Sequence, residues 1–176
     1  LKKQLPDNFL DVGICEQNLI GIATGLSSEG FEVFTTTFAP FQTMRCCEQI
    51  RVNLGYMKHK ICMVGLASGL VLGTLGFTHC CIEDLSIMRS IPNITVLSPA
   101  DCSETAKAIA ASIEHKNPIY IRLTGGSNQP IVYKKDYNFE IGKGIILKEG
   151  KDIAIFATGT MVYESIEASK ILETKG

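Results

Sequence analysis

The chain has 176 residues, enough for one full domain and part of another. Hydrophobic residues make up 45% and charged residues 20%, with 16 Gly and 6 Pro, which excludes disordered and collagen-like chains. Seventeen basic against 18 acidic residues give a net charge of −1 with no basic cluster, so no nucleic-acid surface is expected.

The predicted elements alternate short β-rich runs with helical periodicity, the mark of a parallel α/β sheet with helical crossovers. Residues 9–14 read as a strand. Glu16–Ser28 places Leu19, Ile20, Ala23 and Leu26 on one helical face, and Gly30 stops it. A strand is expected over 31–36 and a helix over 38–53, burying Phe41, Met44, Cys47 and Ile50. The continuous apolar run 61–66 suits a central strand. Glycines 65, 69, 73 and 76 then mark a loop, over 67–81, that needs unusual backbone angles or close approach to a ligand. A helix over 82–90 stops before Pro92, and a strand follows over 94–97. Asp101 and Glu104 form a capping box for a helix reaching about residue 115. After Asn117 and Pro118 comes a buried strand over 119–123, then a turn over 124–129 and a linker to about residue 138. Two strands, over 142–147 and 152–158, and a helix over 162–174 read as the opening of a second α/β domain.

The seven cysteines include no C-x-x-C pair, and adjacent cysteines such as Cys46–Cys47 and Cys80–Cys81 seldom wrap a tetrahedral metal. Structural thiols of a soluble cytoplasmic protein are expected. No apolar run approaches a membrane span, and no Walker phosphate loop, zinc-protease or nucleophile-elbow motif occurs. His79 beside Cys80 makes a poor nucleophile pair, since adjacent residues rarely hydrogen-bond productively.

Three segments in a fixed order carry more information. Asp11-Val-Gly-Ile-Cys-Glu16-Gln17 runs into a helix. Thr37-Phe38-Ala-Pro-Phe41 is followed by Arg45 and by Gln49-Ile50-Arg51. Gly76-Phe-Thr78-His79 leads to Glu83-Asp84-Leu85, Met88-Arg89, Ile91-Pro92-Asn93 and Pro99-Ala100-Asp101. This set resembles the transketolase family of thiamine-diphosphate-dependent enzymes over about residues 10–125. The resemblance implies a three-layer parallel-sheet pyrimidine-binding domain (1–125), a linker (126–141) and the start of the C-terminal domain (142–176).

It also implies roles. Glu16 is the carboxyl that hydrogen-bonds the pyrimidine nitrogen, in apolar surroundings from Ile14 and Leu19 that favour a proton-donating acid. Phe38 and Phe41 flank the flat pyrimidine, Met44 stands where a third aromatic is usual, and His79 faces the sugar. Taken alone, Glu16 reads rather as a first-turn glutamate favourable to the helix dipole, and the phenylalanines as ordinary core; the three ordered segments together turn both toward the cofactor. The diphosphate and Mg2+ belong, in this resemblance, to a domain or subunit bearing a G-D-G motif that this chain lacks. A homodimer or heterotetramer acting on sugars is therefore expected, with no nucleic acid or membrane partner. Ala67, Leu75 and Gly125 fall where the family carries polar substrate ligands. Other readings are a deoxyxylulose-phosphate-synthase-like or keto-acid-dehydrogenase-like use of the cofactor, or a non-catalytic paralogue serving assembly or regulation.

Overall fold

The structure is a computed structural model that describes residues 1–126 and 128–176; Ser127, part of the expected 124–129 turn, lies outside the described residues. Four parallel strands, β1 (Val33–Phe38), β2 (Ile61–Leu66), β3 (Thr95–Leu97) and β4 (Ile119–Arg122), form a sheet in the order β1-β2-β4-β3. Helices lie on both faces, as the three-layer α/β expectation requires.

Side chains alternate across β2. Ile61 and Met63 enter a core with Ile20 and Ala23 of α1 (Glu16–Ser28), Ile50, Leu54, Met88, Ile91 and Tyr120. Cys62 joins Ile119, Ile121 and Ala108 of α5 (Cys102–Glu114) on the opposite face. Both faces of β2 are therefore covered, which is why it reads as an unbroken apolar run.

Local signals set the helix ends. Gly30 adopts φ 86° after α1, its N–H donates to the Ser27 carbonyl and that of Phe31 to Leu26, the pattern that closes a helix with a left-handed residue. At α5, the Asp101 carboxylate accepts from the Glu104 N–H at 2.8 Å. Glu104 reaches back to the Ala100 N–H at 2.6 Å, one residue before the cap position. Residues 130–141, expected as a linker, run over α5. Asp101 Oδ2 accepts from the Val132 and Tyr133 N–H groups, and Lys107 pairs with Asp136.

Several expectations shift. The strand expected over 31–36 is displaced to Val33–Phe38 by its register against β2. The helix expected over 38–53 is broken into α2 (Ala39–Gln42) and α3 (Cys47–Ile50), which continues as a π-helix, Arg51–Tyr56. The Thr43 hydroxyl donates to the Ala39 carbonyl at 2.7 Å at the end of α2. The wide π turn lets bare Gly55 lie against Ile91, where an added Cβ would stand 2.7 Å from a methyl carbon. Asn93 Nδ2 donates to the Gly55 carbonyl at 2.7 Å. The loop over 67–81 contains a 3-10 segment, Gly73–Thr78, and leads to α4 (Asp84–Ser90). No strand forms over 9–14, 142–147 or 152–158, because nothing among the described residues pairs with them. The final helix, α6 (Met161–Glu173), is present, buries Val162 and follows two hydrogen bonds from Thr158 and Gly159 to the Ser98 carbonyl. No helix is long and apolar enough to cross a membrane among the described residues.

Candidate active site

The C-terminal edge of a parallel sheet is where such folds bind ligands, and three connections bring the singled-out residues there. Phe38 ends β1 and Phe41 lies in α2, directly after it. His79 follows the 3-10 segment in the β2–α4 connection. That connection is pinned at its base by two hydrogen bonds between Gly69 and Cys81, of 2.7 and 2.8 Å. Gly76, at φ 67° and ψ −152°, lies in a region open essentially to glycine, and its carbonyl accepts from the His79 N–H. The motif glycine thus turns the chain so that the histidine faces β1.

The result is an aromatic cluster. The His79 ring stands 5.9 Å from Phe38 and 5.3 Å from Phe41, and the two phenylalanines stand 6.1 Å apart, all edge to face. His79 Nδ1 shares a hydrogen bond of 2.9 Å with the Thr78 hydroxyl. Glu16, first residue of α1, is buried, and its Oε2 accepts from Arg45 Nη1 at 2.7 Å. The apolar surroundings expected for Glu16 are corrected here. Ile14 is 90% exposed, and the nearest charged partner is a guanidinium.

Arg45 is the residue that sequence reasoning quoted without assigning a role. Its guanidinium carbon lies 3.8 Å from the Phe41 ring centroid, so one side chain touches both the carboxylate and the aromatic wall. Gln17 Nε2 donates to the Arg45 carbonyl at 3.0 Å and ties this turn to α1. A signal was present: Arg45 is the only basic residue between Phe38 and Arg51. Met44 stands beside it in the same turn, 38% exposed.

Beneath the loop, buried Asp84 accepts at Oδ2 from the Tyr120 hydroxyl and from Arg122 Nε, each at 2.8 Å, while its Oδ1 is buried without a hydrogen-bond partner. Burial first, then the Asp84 charge, pushes the Tyr120 hydroxyl pKa up, keeping it a donor. Arg122 Nη2 reaches to 3.4 Å from the Cβ position of Gly69, supporting the loop base. Ala67 follows β2 with φ 52°, Leu75 is exposed on the 3-10 segment, and Gly125 follows β4. All three positions lie beyond C-terminal strand ends, on the edge that carries the aromatic cluster.

Cys46, Cys62 and Cys81 are buried packing groups, whereas Cys15 and Cys102 are exposed. All seven are free thiols, and one of each adjacent pair, Cys46 and Cys81, is buried. Burial is the main cause that pushes the Cys46 thiol to about 12 and the Cys62 thiol to about 11. No group of three or more His, Cys, Asp or Glu side chains that could hold a metal ion occurs among the described residues.

Flat aromatic faces beside a buried carboxylate fit an aminopyrimidine, which needs a hydrogen-bond partner for its ring nitrogen and apolar walls for its plane. The model of the transketolase pyrimidine binding domain matches residues 1–129. A 6-deoxy-6-sulfo-D-fructose transketolase subunit of Clostridium sp. (strain MSTE9) is 38% identical over 99% of this chain and 54% of its own length. An apulose-4-phosphate transketolase subunit of Phocaeicola vulgatus is 34% identical over 99% of this chain and 56% of its own. A solved split-gene transketolase, an inactive β4 tetramer, superposes with a TM-score of 0.90 at 42% identity, covering 99% of this chain and 56% of that one. The chain thus spans little more than half the length of these relatives. It belongs to the transketolase family.

Proposed function

We propose that this chain supplies the pyrimidine-recognising part of a thiamine-diphosphate site in a transketolase-like enzyme that transfers a two-carbon ketol unit between sugars. A partner domain or subunit holds the diphosphate and its Mg2+, within a homodimer or heterotetramer. One observation carries this reading: Phe38, Phe41 and His79 cluster at the C-terminal edge of the sheet, and Glu16 is joined to that cluster through Arg45, which touches both its carboxylate and the Phe41 ring. When bound, the cofactor supplies carbanion chemistry at the ketose carbonyl.

The chain's own side chains do the rest. Glu16 holds a proton toward the pyrimidine nitrogen and so selects the ring's reactive tautomer. Phe38 and Phe41, with Met44 beside them, give the ring its walls and exclude water. His79, its Nδ1 engaged by Thr78, presents Nε2 toward the sugar. Ala67, Leu75 and Gly125 leave the substrate side short of charged ligands, which favours a less polar or unphosphorylated donor unless the partner brings replacements. The free thiols fit a reducing, cytoplasmic setting.

The test is Glu16→Gln in the assembled enzyme. Cofactor binding is retained within a few-fold, while proton exchange at the thiazolium C2, followed by NMR, slows by about 10²–10⁴-fold, the usual worth of a positioned acid or base. Exchange at the native rate removes Glu16 from the mechanism and leaves an assembly or regulatory role as the better account.

A further inference from the structure

Arg45 places its guanidinium against the two groups that the proposed site assigns to the pyrimidine. Nη1 is 2.7 Å from Glu16 Oε2, and the guanidinium carbon is 3.8 Å from the Phe41 ring centroid. A guanidinium and an aminopyrimidine are alike in what matters here. Both are planar, delocalised N–C–N systems that stack on an aromatic face and hydrogen-bond a carboxyl group in their own plane, the guanidinium donating to its ionised form and the ring nitrogen accepting from its protonated form. The Arg45 side chain is 42% exposed, so it can swing into solvent without leaving a void in the core. Its backbone is held independently, by Gln17 Nε2 on its carbonyl.

We propose that Arg45 is a stand-in for the pyrimidine: its guanidinium occupies the base subsite until the cofactor displaces it. The inference rests on the pyrimidine reading of Glu16 and Phe41. Arg45 thereby keeps the buried carboxylate and the ring face covered in the ligand-free protein, and sets the affinity by competing for them. Apparent affinity falls by the fraction of molecules whose subsite is open, so removing the competitor tightens binding. The sign is diagnostic. Deleting a cation close to an anionic ligand weakens binding on Coulombic grounds alone, whereas deleting a competitor strengthens it.

The test is calorimetry on the full protein assembled with its diphosphate-binding partner, using Arg45→Met, which keeps an unbranched apolar stem and removes the guanidinium. Two probes are titrated with Mg2+: thiamine diphosphate, and the thiazole diphosphate fragment that lacks the pyrimidine. Thiamine diphosphate is expected to bind about tenfold tighter to the variant, with the fragment unchanged. Unchanged or weaker thiamine diphosphate binding overturns the proposal, as does equal tightening of both probes, which assigns the effect to something other than the pyrimidine subsite. The Glu16→Gln exchange measurement separates the two levels: native exchange there sinks the site reading itself, whereas slowed exchange with no tightening in Arg45→Met sinks only the stand-in role.

Discussion

Residues 61–66 and 152–158 are both short, largely apolar runs, and they end in opposite conditions. The first is β2, hydrogen-bonded to β1 and β4, with Ile61 and Met63 fully buried. The second pairs with nothing among the described residues, and its Ile153 and Phe156 are 77% and 97% exposed. A helix closes its own hydrogen bonds, so α6 forms beside that run without needing a neighbouring strand. A strand is a property of a pair. Apolar patterning states what a segment can become, and the partner decides whether it does.

The largest effect that would sharpen this contrast comes from breaking the body of the sheet at Asp84. Its carboxylate joins α4 to β4 through Tyr120 and Arg122, with no exposure of its own side chain and 13% for that of Arg122. Asp84→Ala leaves a cation and a hydroxyl without their shared acceptor. A loss of about 3–5 kcal/mol in urea unfolding is expected, the usual result of removing one member of a buried pair. A loss below about 1 kcal/mol would show that the network does not tie helix to sheet.

Gly65 comes next, since an added Cβ would stand 2.5 Å from the Tyr120 hydroxyl oxygen. Gly65→Ala overpacks β2 and moves Tyr120 off Asp84, at about 1–3 kcal/mol. Tyr120→Phe in the Gly65→Ala background tests the cause, because relief of the clash should recover part of that loss.

What was legible in the sequence follows the same physics. The bounds of β2 could be read because a strand covered on both faces is apolar throughout, and the end of α1 because Gly30 sets it. The break in the 38–53 helix could not be read. It falls at residues 43–46, in a turn held by Arg45 contacts to Gln17 and Glu16 that lie 28 and 29 residues away in sequence. Among the candidate site residues, Glu16, Phe38, Phe41 and His79 were reachable through the ordered motifs, although the proximity of His79 to both phenylalanines also needs the turn at Gly76. Arg45 stood in plain sight within one motif. Its meaning required the fold to return the turn after α2 to the start of α1, and no local pattern encodes that return.

Asp101 sits between the two regimes, since it caps α5 and also holds residues 130–141, the strap that runs over that helix. Oδ1 takes the Glu104 N–H, and Oδ2 takes those of Val132 and Tyr133. Asp101→Ala should cost about 0.5–2 kcal/mol, the range of a lost helix cap, and should release the strap. Hydrogen exchange at Val132 and Tyr133 that stays as slow as in the native chain would show that the strap is held by Phe139 and Ile141 packing instead.

The smallest expected effect tests the exposed side of the contrast. Phe156 is 97% exposed, so Phe156→Ser removes a large apolar side chain that buries almost nothing in this chain. Stability of the chain alone should change by no more than about 0.5 kcal/mol, as for surface substitutions away from special features. The same substitution should reduce self-association, because an aromatic ring next to exposed Ile153 and Ile155 leaves an apolar surface that water disfavours. Chemical unfolding and sedimentation velocity on one sample read the two quantities separately. A loss of about 2 kcal/mol or more in the monomer would mean that residues 152–158 find a partner within the chain in solution, and the distinction between a paired and an unpaired apolar run would have to be redrawn.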